Sequence, residues 1–172
     1  MINTDILIIG AGPTGLFTVF EAGLLKLKCH LIDALPQAGG QCSEIYPKKP
    51  IYDIPGFPEI LAGDLTNNLL EQCKQFEPGF TLGERADKIS KNENGLFIVV
   101  TNKGTEHQAP VIAIAGGLGS FEPTKPSLDK LNFYEGKGVE YIIKDPAVYK
   151  NKRIVIAGGG DSALDWSIYL AD

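Results

Sequence analysis

The chain has 172 residues, with 16 Lys and Arg against 21 Asp and Glu, for a formal net charge of −5. Apolar residues make up 44% and charged residues 22%, the balance of a soluble globular protein long enough to bury a core. No apolar run reaches the roughly 18 residues of a membrane span, Met1–Asp5 has no basic stretch of a secretory signal, and the acidic balance argues against nucleic acid as the main ligand.

In chain order, Asp5–Ile9 (DILII) is a short β-branched run bounded by glycine and predicts a fully buried strand of a parallel sheet. Pro13 suits the first turn of a helix, and Leu16 to Leu25 is apolar on nearly every side, which predicts a largely buried helix. Cys29–Ile32 (CHLI) predicts a second buried strand ending at Asp33, so the first thirty residues read as β-α-β with parallel strands. Residues 34–60 are a long irregular stretch rich in Gly and Pro, a length that marks a functional or mobile loop. Asp64 is placed to cap a helix running to Phe76, with Leu65, Leu69, Cys73 and Phe76 as its apolar stripe. Ala86–Ser90, Leu96–Thr101 and Thr105–Ala109, separated by Asn-Gly and Lys-Gly turns, predict a small antiparallel meander. Val111–Ala115 (VIAIA) predicts another buried strand. Arg153–Ala157 (RIVIA) restarts the opening pattern of strand, glycines and helix. The fold class expected is α/β: a Rossmann-like domain with a parallel sheet and a small meander over 1–116, then the start of a second nucleotide-binding domain over 117–172.

The 20 glycines exceed the usual share and fall in clusters. The first is Gly10-Ala11-Gly12-Pro13-Thr14-Gly15, a G-x-G-x-x-G that follows a buried strand, opens a helix and has an acid, Asp33, 18 residues after Gly15. Gly10 permits the tight turn, Gly12 lets the backbone approach a pyrophosphate, and Gly15 lets helix and strand pack closely. The helix N-terminus offers N–H groups and a positive dipole end to phosphates. Asp33 would accept hydrogen bonds from a ribose diol and repel a 2′-phosphate, which favours FAD or NAD over NADP.

The second cluster is Gly158-Gly159-Gly160-Asp161-Ser162-Ala163, a G-x-G-x-x-A after RIVIA, with Gly158, Gly160 and Ser162 as its candidate binding residues and Asp161 expected to cap the helix. The position about 20 residues on, which would read the ribose, falls past Asp172, so these residues leave NADP and NAD both open. Two such motifs in one chain suggest a flavoprotein reductase, in which a nicotinamide nucleotide passes hydride to FAD and the protein chiefly orients the two.

The runs GAGPTGLF (10–17), LIDALPQAGGQCSEIYPKKPIYDIPGFP (31–58), IAIAGGLGSFEP (112–123) and IIKDPAVYKNKRIVIAGGGDSALDW (142–166) together resemble the ferredoxin–NADP reductases of the thioredoxin-reductase-like type. The resemblance implies a cytoplasmic homodimeric flavoenzyme moving electrons between NADPH, FAD and ferredoxin or flavodoxin, of which this chain is an N-terminal portion. It also implies roles for residues. Thr14 would lie in the pyrophosphate loop, Asp33 on the adenosine ribose, Gly40 and Gln41 on the flavin side, and Tyr46 against the isoalloxazine ring. Ala86 would contact the adenine half through its backbone, and Phe121 would line the FAD pocket. Stacking suits the flat apolar face of Tyr46. From the residues alone, ordinary packing of a Pro-rich loop is the favoured reading of Tyr46, Tyr52 and Phe57.

Thioredoxin reductases share this architecture but carry a Cys-x-x-Cys dithiol shortly before the second glycine motif. Here that segment reads VEYIIKDP, and the three cysteines, Cys29, Cys42 and Cys73, are separated by 13 and 31 residues. A dithiol relay needs its sulfurs adjacent, so this chain lacks one. The odd count suits a reducing cytosol, with Cys29 and Cys73 as core residues. His30 and His107 have no metal-ligand spacing. Lys26, Lys28, Lys48 and Lys49 are solvated lysines or a meeting point for an acidic ferredoxin.

Overall fold

A computed structural model describes residues 1–120, 125–143 and 145–171. The chain divides into two units, Met1–Thr124 and Lys125–Asp172. In the first, chain order is β1 (Ile2–Asn3), β2 (Ile6–Ile9), α1 (Pro13–Leu24), β3 (Cys29–Asp33), α2 (Gln41–Glu44), β4 (Pro50–Ile51), β5 (Ile60–Leu61) and α3 (Ala62–Lys74), followed by β6 (Gly79–Leu82), β7 (Ala86–Lys91), β8 (Phe97–Thr101), β9 (Glu106–Ala109) and β10 (Val111–Ile114).

The expected parallel sheet is present, ordered β10-β2-β3-β6 with every pair parallel. The central strands β2 and β3 are largely apolar on both faces because both faces are covered. Ile8 and Leu31 join Leu16, Val19 and Ala22 of α1 and Cys73 of α3 on one side, while Leu7 and Ile32 meet Val99 and Ala109 of the meander on the other. The meander β7-β8-β9 is antiparallel as expected, and its outer strand β1 pairs with β9 in parallel. The N-terminal segment therefore serves both sheets, crossing at Thr4-Asp5. There Asp5 Oδ2 accepts the Lys28 N–H at 2.8 Å and Thr4 Oγ1 donates to the Lys28 carbonyl at 2.8 Å.

Several expectations are corrected. Helix α1 buries only Gly15, Leu16, Val19 and Ala22, leaving Phe17 and Leu24 exposed, because one stripe suffices to meet the sheet and α3. Asp64 does not cap α3: β5 runs straight into the helix and Leu61 holds the cap position. The Ala62 and Gly63 N–H groups donate to the Lys49 and Pro47 carbonyls, which leaves Asp64 in the first turn where its charge suits the dipole. The 34–60 stretch is less irregular than expected, holding α2 and the antiparallel β4-β5 pair. Strand β10 is not fully buried: it lies at the end of its sheet and exposes Val111 and Ile114.

The second unit contains α4 (Leu131–Tyr134), a 3-10 turn (Pro146–Tyr149) and α5 (Asp161–Ala171). Asp145 caps the turn by accepting the Ala147 N–H at 3.1 Å. Arg153–Ala157 is exposed, unpaired chain rather than the expected strand, with Val155 92% exposed. A parallel strand exists only beside a partner, and among the described residues none pairs with it. Asp161 is the first residue of α5 rather than its cap, since the Gly160 carbonyl accepts from the Ala163 and Leu164 N–H groups and Gly160 takes the capping place.

Candidate functional site

The carboxyl ends of β2, β3 and β10 lie side by side, and β2 and β10 each run into a glycine turn. The Gly10 turn takes φ +107°, and a Cβ there would collide with the Ala115 carbonyl, so only glycine fits between β2 and the end of β10. A Cβ on Gly15 would collide with the Gly10 carbonyl, which explains the third glycine as a packing requirement. Gly12 occupies the N-cap of α1 with no side-chain cap, and Pro13 follows it. The helix thus presents uncapped first-turn N–H groups next to bare backbone. Thr14 is exposed at the second helical position.

The Gly39-Gly40 turn closes over this loop. Gly39 N–H donates to the Ala11 carbonyl at 2.8 Å, and Gly40 sits so near that a Cβ on it would lie 3.0 Å from Gly12 Cα. From there α2 begins at Gln41, whose side-chain nitrogen points toward Gly117 in the turn after β10. Gly12, Gly40, Gln41 and Gly117 therefore converge, and Ala115 and Gly117 are parts of the cradle that sequence reasoning missed. The GG pair at 116–117 after an apolar run was the available signal.

Asp33 ends β3 beside the first loop. Its Oδ2 accepts the Ala11 N–H at 2.6 Å and its Oδ1 accepts the Leu35 N–H at 2.9 Å. Each oxygen keeps a further lone pair. The chain after β6 folds along this edge, with Gly83 and Glu84 donating to the Leu35 and Asp33 carbonyls at 2.8 and 3.0 Å. Ala86 follows as the first residue of β7, half-buried against the Leu7 and Ile32 cluster.

Tyr46 is half-buried just past α2, its N–H directed at the Gln41 carbonyl. Burial raises its phenol, and the nearby Cys42 thiol and Asp53 add to the rise. Tyr52 and Phe57 are exposed on the same loop, as are Lys48 and Lys49. All three cysteines are free and buried, with Cys29 pushed up to about 11 by burial and by Asp5 and Cys73. Phe121 lies outside the described residues.

In the second unit, Gly158 stands where a Cβ would come 3.2 Å from the Ala163 side chain, the same small-residue contact seen between Gly10 and Gly15. Gly160 has open space around it, and Ser162 is exposed in the first turn of α5. This half-motif keeps its turn and helix but not the strand before it. Among the described residues no group of three His, Cys, Asp or Glu could hold a metal, and no helix is long and apolar enough to cross a membrane.

Comparison with known proteins gives the same picture. The chain is 77% identical over 172 residues to "Ferredoxin--NADP reductase 1" of Christiangramia forsetii, covering all of this chain and 49% of the relative. It is 74% identical over 172 residues to "Ferredoxin--NADP reductase" of Flavobacterium johnsoniae, again covering 100% and 49%. The chain thus spans about half the length of these curated relatives. Among solved structures, thioredoxin reductase of T. acidophilum superposes with a TM-score of 0.76 at 24% identity over 99% of this chain and 53% of that one. That of Lactococcus lactis does so with a TM-score of 0.75 at 24% identity over 98% and 52%. These two likenesses bear out the Rossmann-like fold. The family model for pyridine nucleotide-disulphide oxidoreductases matches residues 4–172, and the chain belongs to that family.

Proposed function

We propose that this chain forms the FAD-binding part, over residues 1–116, and the opening of the NADP-binding part, over 117–172, of a ferredoxin–NADP reductase. The observation that carries the reading is the convergence of Gly12 and Gly40, where two turns meet through backbone alone beneath the uncapped start of α1. A bare floor of this kind suits a pyrophosphate, because neither Gly12 nor Gly40 puts a side chain between it and the first turn of α1. The residues therefore fit FAD. When bound, FAD would supply the redox chemistry, accepting hydride from NADPH and passing electrons on.

This chain's own residues bind and orient. Gly10, Gly12, Thr14 and Gly15 would hold the pyrophosphate, Asp33 the adenosine ribose and Ala86 the adenine side. Gly40 and Gln41 would lie toward the flavin, Tyr46 would offer its ring as a stacking face, and Phe121 would line the pocket. Gly158, Gly160 and Ser162 would receive the phosphates of NADP. Ferredoxin or flavodoxin would be the electron partner, the protein would act in the cytoplasm, and it would be a homodimer. The absence of any Cys-x-x-Cys separates this reading from a thioredoxin reductase.

A second reading is favoured by the exposed, unpaired Arg153–Ala157 segment: taken by itself, the 172-residue chain is a nucleotide-binding module without turnover. One experiment addresses both. The chain is incubated with FAD, desalted and examined by visible absorption, then assayed with NADPH and ferredoxin. Retained flavin bands are expected, with little or no turnover. A chain that emerges colourless after saturating FAD would overturn the proposal.

A further inference from the structure

The chain has two histidines, and they meet in the interior of the first unit. His30 lies on β3 and His107 on β9, so one belongs to the parallel sheet and the other to the meander. Their rings are 5.0 Å apart between centroids. Thr81 of β6 stands between them, with its hydroxyl oxygen 2.8 Å from His30 Nε2 and 2.9 Å from His107 Nε2. His107 is fully buried, and among the described residues its Nδ1 has no hydrogen-bond partner.

A threonine hydroxyl carries one proton. In this bridge it donates to one imidazole and accepts from the other, so one ring must present a bare Nε2. Charging that ring places a proton on the nitrogen that the hydroxyl was using as acceptor. The hydroxyl proton is then left unpaired in the interior, and a cation sits close to a second ionisable ring. We propose that the His30–Thr81–His107 bridge is an acid-sensitive latch holding the meander against the parallel sheet.

The surroundings support neutral rings. Burial and the neighbouring His107 hold His30 down to about 4. Burial also holds His107 down, reinforced by the chain's amino terminus on the β1 side. The Glu84 carboxylate and the nearby Val99 and Thr105 carbonyls act in the opposite sense. Strand β8 brings no charge to the site. Lys28 and Glu77 line the cleft on the open side of His30, where Gly79 leaves room for Nδ1. The latch bears on the candidate site through Thr81, because the next residues, Leu82 to Ala86, are those that run along Asp33.

Linkage fixes the sign. Both rings have lowered values in the folded chain, so their contribution is complete above about 6.5, the unfolded value, and is lost as the pH falls toward the folded value. Between pH 7 and 5.5 His30, held down to about 4, should raise the unfolding equilibrium constant about eightfold, and the lowered His107 should add to that rise. The test follows both rings by NMR in the 172-residue chain, together with urea unfolding and amide hydrogen exchange at pH 7 and 5.5. A flat His30 ring shift over that range is expected, with the rise in the unfolding constant reduced in His30→Gln and falling to about eightfold in His107→Gln. After correction for intrinsic rates, amides of Phe97–Ala109 should lose protection at pH 5.5 before those of Ile6–Ile9. A ring titrating near 6.5 in the folded chain would overturn the latch, as would loss of protection in both sheets together. The NMR titration of the unaltered chain decides the matter even if the variants fail to fold.

Discussion

The Asp33 carboxylate accepts the N–H of Ala11, the one non-glycine residue between Gly10 and Gly12, at 2.6 Å. A residue read from sequence as a ribose contact is therefore also a fastener for the phosphate loop. Its second oxygen holds Leu35 N–H, so β3, the first loop and the chain beyond are tied at one point. A charged acceptor makes such bonds strong, and the loop shape they hold is the shape a pyrophosphate needs.

Asp33→Ala should therefore lower stability by about 1–3 kcal/mol, the range for losing charge-assisted bonds to part-buried N–H groups. It should also weaken FAD binding by at least tenfold. Urea denaturation and fluorescence titration with FAD measure the two effects. If Asp33 acted on the ribose alone, affinity would fall while stability stayed within error of the unaltered chain.

The cysteines give a second prediction. Cys29, Cys42 and Cys73 are all buried, and burial raises each thiol above its ordinary value. Reaction with a disulfide reagent at pH 8 should be slow for all three in the native chain and complete within seconds in urea, because the thiolate is the reactive form. Raised thiols also set a sign at high pH. Their contribution to stability is complete below about 9 and is lost as pH rises toward the folded values, so unfolding should ease between pH 9 and 11. A rapid native burst of one thiol would contradict the burial of all three.

The parts of this fold that were legible in sequence are those specified locally. DILII, the glycine loop and CHLI state a β-α-β unit within thirty residues, and Asn-Gly and Lys-Gly turns state the meander. What was hidden depends on distant partners. Strand β6 is only Gly79–Leu82, too short and too glycine-led to show a period, and it exists because Cys29–Asp33 offers it a ladder. RIVIA reads as strongly as DILII yet stays unpaired, which shows that a β-rich run is an offer of pairing rather than a strand. Thr81 lies 51 residues from His30 and 26 from His107, so no spacing rule could have joined them. At the candidate site, Gly10, Gly12, Gly15 and Asp33 were readable from one motif, whereas Ala115 and Gly117 arrive through the pairing of β10 with β2.

The exposed segment before the second motif should be the place where a protease cuts first. Ile154, Val155 and Ile156 are 38, 92 and 36% exposed, and Lys152 and Arg153 precede them outside any helix or strand. Limited trypsin digestion should release the α5 end early and leave a resistant fragment containing the first unit. Mass spectrometry of the first products checks this. Early cleavage at Lys88 or Lys91 in β7 would contradict it.

Substituting the two glycines Gly10 and Gly12 separates folding from binding. A Cβ on Gly10 would meet the Ala115 carbonyl, and φ +107° already disfavours alanine, so Gly10→Ala should lose about 1–3 kcal/mol of stability, or fail to fold. Gly12 differs: its nearest neighbour to an added Cβ is Gly40 Cα at 3.9 Å, an ordinary contact, and its backbone is extended with φ −74°. Gly12→Ala should fold with stability within about 1 kcal/mol of the unaltered chain. The new methyl group, however, would occupy the floor between the two turns that a pyrophosphate must approach. FAD affinity should fall by a hundredfold or more in a chain whose unfolding curve is nearly unchanged. Equal loss of both would mean that the 10–15 loop is a packing device, and full retention of both would mean that the dinucleotide lies elsewhere.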